Sequence, residues 1–223
     1  MAKRLPLFPD AGPVPAVVVE RLPLYARTLS EIVKDGRHFI KSHELADLLT
    51  LNPALVRRDL SYFGHLGKTG CGYDICHLRE ELERVLGLAE RRCTVLVGLG
   101  NLGRAILANR EFGAGGFCIV AAFDVRGEPK RATIRGVPVF AVEALPEFLA
   151  SHLIEIAIVA APPAQAQAIS DSLAQGGVRA ILNYAPVALH VPPGVLVRSI
   201  DPVAKLQAIA FYLRQARASF TES

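Results

Sequence analysis

No apolar run in these 223 residues approaches the roughly 18 needed to cross a bilayer, so no membrane span is expected. The first 18 residues hold Pro6, Pro9, Pro13 and Pro15 and no continuous apolar core. That is not the pattern of a secretory signal, so a loose arm and a cytoplasmic protein are expected. Cysteine is scarce, with four in the chain. Cys71 and Cys76 are separated by four residues, which is not a zinc-ligand spacing, and no metal site is expected. Cys93 and Cys118 fall on apolar runs, where buried free thiols are expected. No polybasic tail is present. Residues 1–92 carry 14 Lys/Arg against 12 Asp/Glu, and the remainder 11 against 9, giving a net +4. Nucleic-acid binding would therefore need a local site rather than a global field. What is abundant is core-forming material: 51% of residues are hydrophobic, enough for one large domain or two small ones.

The most informative stretch is Cys93-Thr-Val-Leu-Val-Gly-Leu-Gly-Asn-Leu-Gly103. A β-branched run passes into Gly98-x-Gly100-x-x-Gly103 and then into the helical pattern Arg104–Ala108. Gly98 suits a tight turn, Gly100 lets a pyrophosphate approach the backbone, and Gly103 lets helix pack on strand. The helix N-terminus then offers N–H groups and its dipole to the phosphates. A second run, Cys118–Asp124, ends in an acid 21 residues after Gly103, the place for a ribose-binding carboxylate. Gly-x-Gly-x-x-Gly alone is weak. With strand, helix and Asp124 in order it points to a dinucleotide, NADH or NAD.

Before this stretch, Leu22, Tyr25, Leu29, Ile32 and Val33 share a helical face that Gly36 stops. A second helix is expected over about His43–Leu49 with Ser42 as N-cap. A third runs Pro53–Phe63, capped by Asn52, with Leu55, Val56, Leu60 and Phe63 inward and Arg57, Arg58, Ser61 and Tyr62 mostly outward. Two short helices with a tight turn form a helix-turn-helix pattern. Four glycines within Gly64–Gly72 exclude regular helix and suit a β-hairpin wing with Lys68 at its tip. A helix over about Leu78–Leu86 leads to the charged Glu90-Arg-Arg92 boundary. After Asp124 come a loop with Lys130, Arg131 and Arg135, a strand at Val137–Val139 and a helix at Val142–Ala150. Strands at Glu155–Ala160, Arg179–Asn183 and Val195–Ile200 follow, the first two separated by a helix over Gln165–Gln175. Strands alternating with helices mean a parallel sheet. The segment Pro202–Ala218 reads as an amphipathic helix, with Val203, Leu206, Ile209, Ala210 and Leu213 on one side and Phe211 and Tyr212 needing further cover.

These residues together resemble the Rex family of redox-sensing transcriptional repressors. The likeness rests on Val56–Gly64 as recognition helix and Gly70-x-Gly72-Tyr73 as wing. It rests also on Gly98–Gly103, Asp124, Asn183-Tyr-Ala-Pro186 and the Ile200-Asp201 segment. The resemblance implies a winged-helix DNA-binding domain (1–90) and an α/β Rossmann domain with a mostly parallel doubly wound sheet (91–200). A C-terminal, domain-swapped dimerisation helix (201–223) completes it. It implies a homodimer on an inverted-repeat operator, released by NADH, with no hydride chemistry. Implied cofactor contacts are Gly98, Leu99, Gly100, Asn101, Leu102, Gly103, Asp124, Val125, Arg126, Ala161, Pro162, Asn183 and Tyr184. Implied DNA contacts are Ser42, Asn52, Arg57, Arg58, Ser61, Tyr62, Lys68, Gly70 and Tyr73. Arg27, Asn109 and Asp201 occupy switch positions. The chain departs from the family's usual pattern at Asn109, where a Tyr is common, at Arg126, where a second acid is common, and at Tyr184, where Phe is common.

Blander readings compete. Arg57 and Arg58 could form a solvated face, Asp201 could simply cap the last helix, and His43 and His65 fit solvent or phosphate better than metal. The main rival function is a small NAD-dependent dehydrogenase. It would need a general acid or base beside the nicotinamide, and His152 and His190 lack an evident orienting carboxylate. A plain interaction module would leave the glycine pattern unexplained.

Overall fold

The computed structural model describes residues 14–221 apart from Thr69 and 126–132, with side-chain surroundings for all of these except Ala114 and 216–221. Arg126, Lys130 and Arg131 therefore lie outside the described residues. Two compact units divide between Glu90 and Arg91.

The first unit begins with a short helix α1 (Ala16–Val19), where a loose arm was expected; Val18 is buried and holds it down. Helix α2 (Leu22–Lys34) buries Leu22, Tyr25, Leu29 and Ile32 on one stripe and ends before Gly36, whose φ is +75°. Strand β1 (Phe39–Ile40), helix α3 (Ser42–Leu48) and helix α4 (Pro53–Ser61) follow. The Asn52 side chain accepts from the Ala54 N–H at 2.8 Å, as an N-cap should. Ser42 is not a cap. It is the first helical residue, and the Glu44 carboxylate accepts from the Lys41 N–H at 2.7 Å instead. Strands β2 (Gly67–Lys68) and β3 (Gly72–Asp74) form the expected hairpin, with β1 on the other side of β3. Gly72 has φ +89° and any Cβ there would strike the Ile40 carbonyl, so the close approach of β1 requires glycine. Helix α5 (Ile75–Leu86) starts at an Asp74 cap, packs on α2 and closes the core.

The second unit is a seven-stranded sheet. Its first βαβ step is β4 (Arg92–Val97), α6 (Asn101–Ala108), α7 (Glu111–Ala114) and β5 (Phe117–Asp124). Then come β6 (Thr133–Ile134), β7 (Val137–Ala141), a 3-10 turn at Val142–Ala144, α8 (Leu145–Ser151) and β8 (Ile156–Val159). The chain continues through α9 (Pro163–Gln175), β9 (Ala180–Asn183), β10 (Leu196–Ser199) and α10 (Pro202–Thr221). The strand order is β10-β9-β8-β4-β5-β7-β6, parallel except for the short β6–β7 edge pair. The order reverses between β4 and β8, and in such sheets ligands bind outside the carboxyl ends at that switch point.

One expectation about burial fails. Cys93 and Cys118 do lie on strands, but both are exposed, because they sit near the strand starts, before the covered part of the sheet. On helix α10, Val203, Leu206, Ile209, Phe211, Tyr212 and Leu213 are all more than half exposed, so its apolar side and its two aromatics are left uncovered within this chain.

Candidate functional sites

The cleft at the switch point has a volume of about 800 Å³. The turns after β4, β5, β8 and β9 line it, contributing Gly98–Leu102, Asp124 and Val125, Ala160–Pro162, and Tyr184. The glycines divide their work. Gly98 has φ +104°, and a Cβ there would meet the Ala160 carbonyl. At Gly103 a Cβ would strike the Gly98 carbonyl, so helix and turn touch backbone to backbone. Gly100 has nothing within 4 Å of its would-be Cβ, so open space lies over the backbone there. Helix α6 starts at Asn101 behind Gly100, which has no side chain to cap it, leaving the first N–H groups to a ligand or water. An uncapped helix start, an open glycine and an acid at the end of β5 fit a dinucleotide's phosphates and ribose.

Asp124 also holds the turn. Its Oδ2 accepts from the Leu99 N–H at 2.6 Å, tying the end of β5 to the loop after β4. The Tyr184 phenol is half-buried, and burial pushes its pKa up, so it stays neutral at physiological pH. Arg104 and Gln165 line the cleft too and were not anticipated. Arg104 follows Gly103 directly, and its Nε donates to the Leu99 carbonyl at 3.1 Å. Position next to the glycine pattern was a usable signal for Arg104; for Gln165 there was none.

Asn183 does not reach the cleft. It is fully buried, its amide donates to the Ala185 and Val187 carbonyls at 3.1 and 2.9 Å, and its Oδ1 accepts from the Ala185 N–H at 2.9 Å. Its work is to shape the turn that presents Tyr184. Asn109 ends α6, exposed, with its Oδ1 accepting from the Glu111 N–H at 3.0 Å, and it is not among the cleft residues. His152 stacks flat on Phe148 at 4.0 Å and His190 bonds through its backbone to Gln167, so neither lines the cleft.

The first unit carries a second concavity of about 480 Å³ between α3, α4 and the wing. It brings Ser42, Arg57, Ser61, Lys68, Gly70 and Tyr73 together. Arg57 Nη1 donates to Ser42 Oγ at 3.0 Å, which joins the two helices across the groove. Lys41, His43 and His65 add to the lining. Burial raises the Tyr73 pKa, opposed by the Arg57 charge. Asn52 and Arg58 are exposed but outside this concavity. Tyr62 is half-buried and packs against the core, so it is less outward than its position on the helix suggests. Arg27 is exposed on α2. Asp201 caps α10, its Oδ1 accepting from the Ala204 N–H at 3.0 Å.

Beneath α4 lies a polar cluster that periodicity gave no reason to expect. Asp59 is 1% exposed, yet it accepts two bonds from Arg21, at 2.6 and 2.8 Å, and one from the Tyr25 hydroxyl at 2.6 Å. The bond to Asp59 raises the Arg21 pKa, and burial followed by the bond to Asp59 raises that of Tyr25. Among the described residues no group of three or more His, Cys, Asp or Glu could hold a metal, and no helix is long and apolar enough to cross a membrane.

Known proteins share this arrangement. A family model described as "Putative DNA-binding protein N-terminus" matches residues 13–61, and one described as "CoA binding domain" matches 90–187. The redox-sensing transcriptional repressor Rex of Chloroflexus aggregans is 43% identical over 199 residues, covering 89% of this chain and 94% of its own. That of Desulfitobacterium hafniense is 37% identical over 205 residues, 92% of this chain and 98% of its own. Among solved structures, RSP in complex with beta-NAD+ and operator DNA superposes with a TM-score of 0.87 at 32% identity, covering 94% of this chain and 97% of that one. RSP in complex with beta-NADH gives 0.82 at 31% identity, with 95% and 100% covered.

Proposed function

The chain belongs to the Rex family of redox-sensing transcriptional repressors, and from that premise we propose that it represses transcription in the cytoplasm by binding inverted-repeat operator DNA and that NADH releases it. One observation carries the reading: a groove holding Arg57 and Lys68 on a winged helix, and a dinucleotide-type cleft, occur in the same chain. The nucleotide is a ligand here and not a hydride donor. The relatives are named as repressors, which fits. NADH and NAD differ in the charge of the nicotinamide. A neutral ring enters an apolar cleft more readily than a cation, which loses solvation there. Differential affinity of this kind is what can shift a two-state equilibrium. Leu99, Val125 and Ala161 supply apolar lining, Asp124 suits the ribose hydroxyls, and the α6 N-terminus suits the pyrophosphate. Arg27, Asn109 and Asp201 are assigned to the switch, and Arg126 to the cofactor.

The test is operator affinity titrated separately with NADH, NAD and NADPH. Release at the lowest concentration of NADH is expected, because the Asp124 carboxylate repels a 2′-phosphate. Release by NAD at lower concentration than NADH would overturn the sensing direction, and release first by NADPH would overturn Asp124 as selector.

Arg57 tests the DNA assignment. Arg57→Ala should weaken operator binding by about 1–3 kcal/mol if it reads a base. If it contacts only phosphate, the salt slope should fall by about one unit with specificity kept. Unchanged binding would remove α4 from the interface.

The bare apolar surface of α10 supports a homodimer in which this helix packs on the partner chain. Deleting residues 203–223 should yield monomers or aggregates by light scattering. A soluble dimer with normal operator affinity would count against it.

A further inference from the structure

We propose that Cys93 and Cys118 form a dithiol site that a hydroperoxide converts into an intramolecular disulfide, which a thiol reductant reopens by exchange. The proposal does not depend on the dinucleotide reading. The two residues are register partners on adjacent parallel strands β4 and β5. Neighbouring strands lie about 4.7–4.9 Å apart, inside the range of about 4.4–6.8 Å that disulfide Cα atoms span.

Their side chains share a face. On β4, Leu96 belongs to the cluster with Ile106 and Val139, whereas Val95 and Val97 belong to the cluster with Leu145 and Ala157. Alternation puts Cys93 on the side of Val95. On β5, Ile119 packs on the Leu96 cluster, so Cys118 before it points the opposite way, also to the side of Val95. The bulge between Thr94 and Val95 comes after the pair and leaves its register intact. Both thiols are free and exposed, so an oxidant can reach them. They sit near the strand starts, at the opposite end of the sheet from the cleft formed by Gly98 and Asp124.

The chemistry balances without a cofactor. One thiolate attacks a peroxide oxygen, the O–O bond breaks and the alcohol leaves with a proton, giving a sulfenic acid. The second thiolate attacks that sulfur, the S–O bond breaks and water leaves. Two electrons pass from the sulfurs to the peroxide; two thiols and one hydroperoxide give one disulfide, one alcohol and one water. The crosslink would close a covalent loop around β4, the glycine turn, α6 and α7, the unit that would carry the phosphates.

The experiment treats the full-length protein with hydrogen peroxide, blocks remaining thiols and digests it with trypsin without reductant. Cleavage after Arg92, Arg104, Arg110 and Arg126 places the two cysteines on separate peptides. The expected product is peptide 93–104 joined to peptide 111–126, lighter than their sum by two hydrogens and separated by dithiothreitol. The double variant Cys71→Ser/Cys76→Ser should still give it, and Cys93→Ser should not. Recovery of Cys93 and Cys118 unlinked, as thiols or sulfinic acids, or linked only between chains or to Cys71 or Cys76, would overturn the proposal.

Discussion

Replacing Arg21 with methionine should destabilise the first unit by about 3–5 kcal/mol, the loss expected when one partner of a buried ion pair is removed. The charge left behind decides the size. Asp59 is 1% exposed, and without Arg21 its carboxylate would keep only the Tyr25 hydroxyl. The reverse change, Asp59→Leu, should cost less, because the Arg21 side chain is 22% exposed and can turn toward water. The double variant Arg21→Met/Asp59→Leu should recover most of the loss, since replacing both partners with apolar groups leaves no stranded charge. Denaturant unfolding of all three variants measures this, and additive losses in the double variant would refute the coupling. Tyr25 adds a pH signature. Its folded pKa is raised above the unfolded value of about 10, so its contribution is full below that pH and is lost as pH rises through the folded pKa. Tyr25→Phe should flatten stability against pH above about 10 and leave it unchanged in shape at neutrality. Because Asp59 lies on α4 between Arg58 and Leu60, this pair also sets how the helix carrying Arg57 is held.

Gly98→Ala should cost about 3 kcal/mol and abolish dinucleotide binding, combining a left-handed backbone with a side chain forced into packed backbone. Its φ is +104° and the added methyl would meet the Ala160 carbonyl at the start of the β8 turn. Ala160 is tied to β4 by its N–H donating to the Val97 carbonyl at 2.8 Å, so it cannot yield without breaking the sheet. Gly100→Ala is the informative contrast. Its backbone is extended, at φ −63° and ψ −170°, and nothing lies within 4 Å of the new Cβ. Unfolding should be unaffected, while NADH affinity falls at least tenfold if the pyrophosphate occupies that space, as read by fluorescence titration. Equal NADH affinity in Gly100→Ala and the parent chain would remove the pyrophosphate from the turn. Equal loss of stability at both glycines would mean the pattern serves the fold alone.

Much of this protein was legible along the chain. The stripe Leu22–Tyr25–Leu29–Ile32, the Asn52 cap, the wing glycines and the Gly98–Gly103 turn are short-range features, and each appears where the sequence places it. Asp124 reaches the cleft because its distance from Gly103 is set by two short helices and one strand. The tertiary structure alone decided the rest. Asp59 looks like one more charge on an exposed helix until Arg21 and Tyr25, 38 and 34 residues away, enclose it. Asn183 sits in a motif that suggests ligand contact, yet its amide is turned inward by Ala185, Val187 and Ser199. Ser42 reads as a cap and is instead Arg57's partner. Cys93 and Cys118 read as buried and are side by side in solvent. Backbone conformation and apolar stripes follow from residue type and spacing over a few positions. The surroundings of a polar side chain depend on which distant segment arrives beside it, and that is settled only when the whole chain packs.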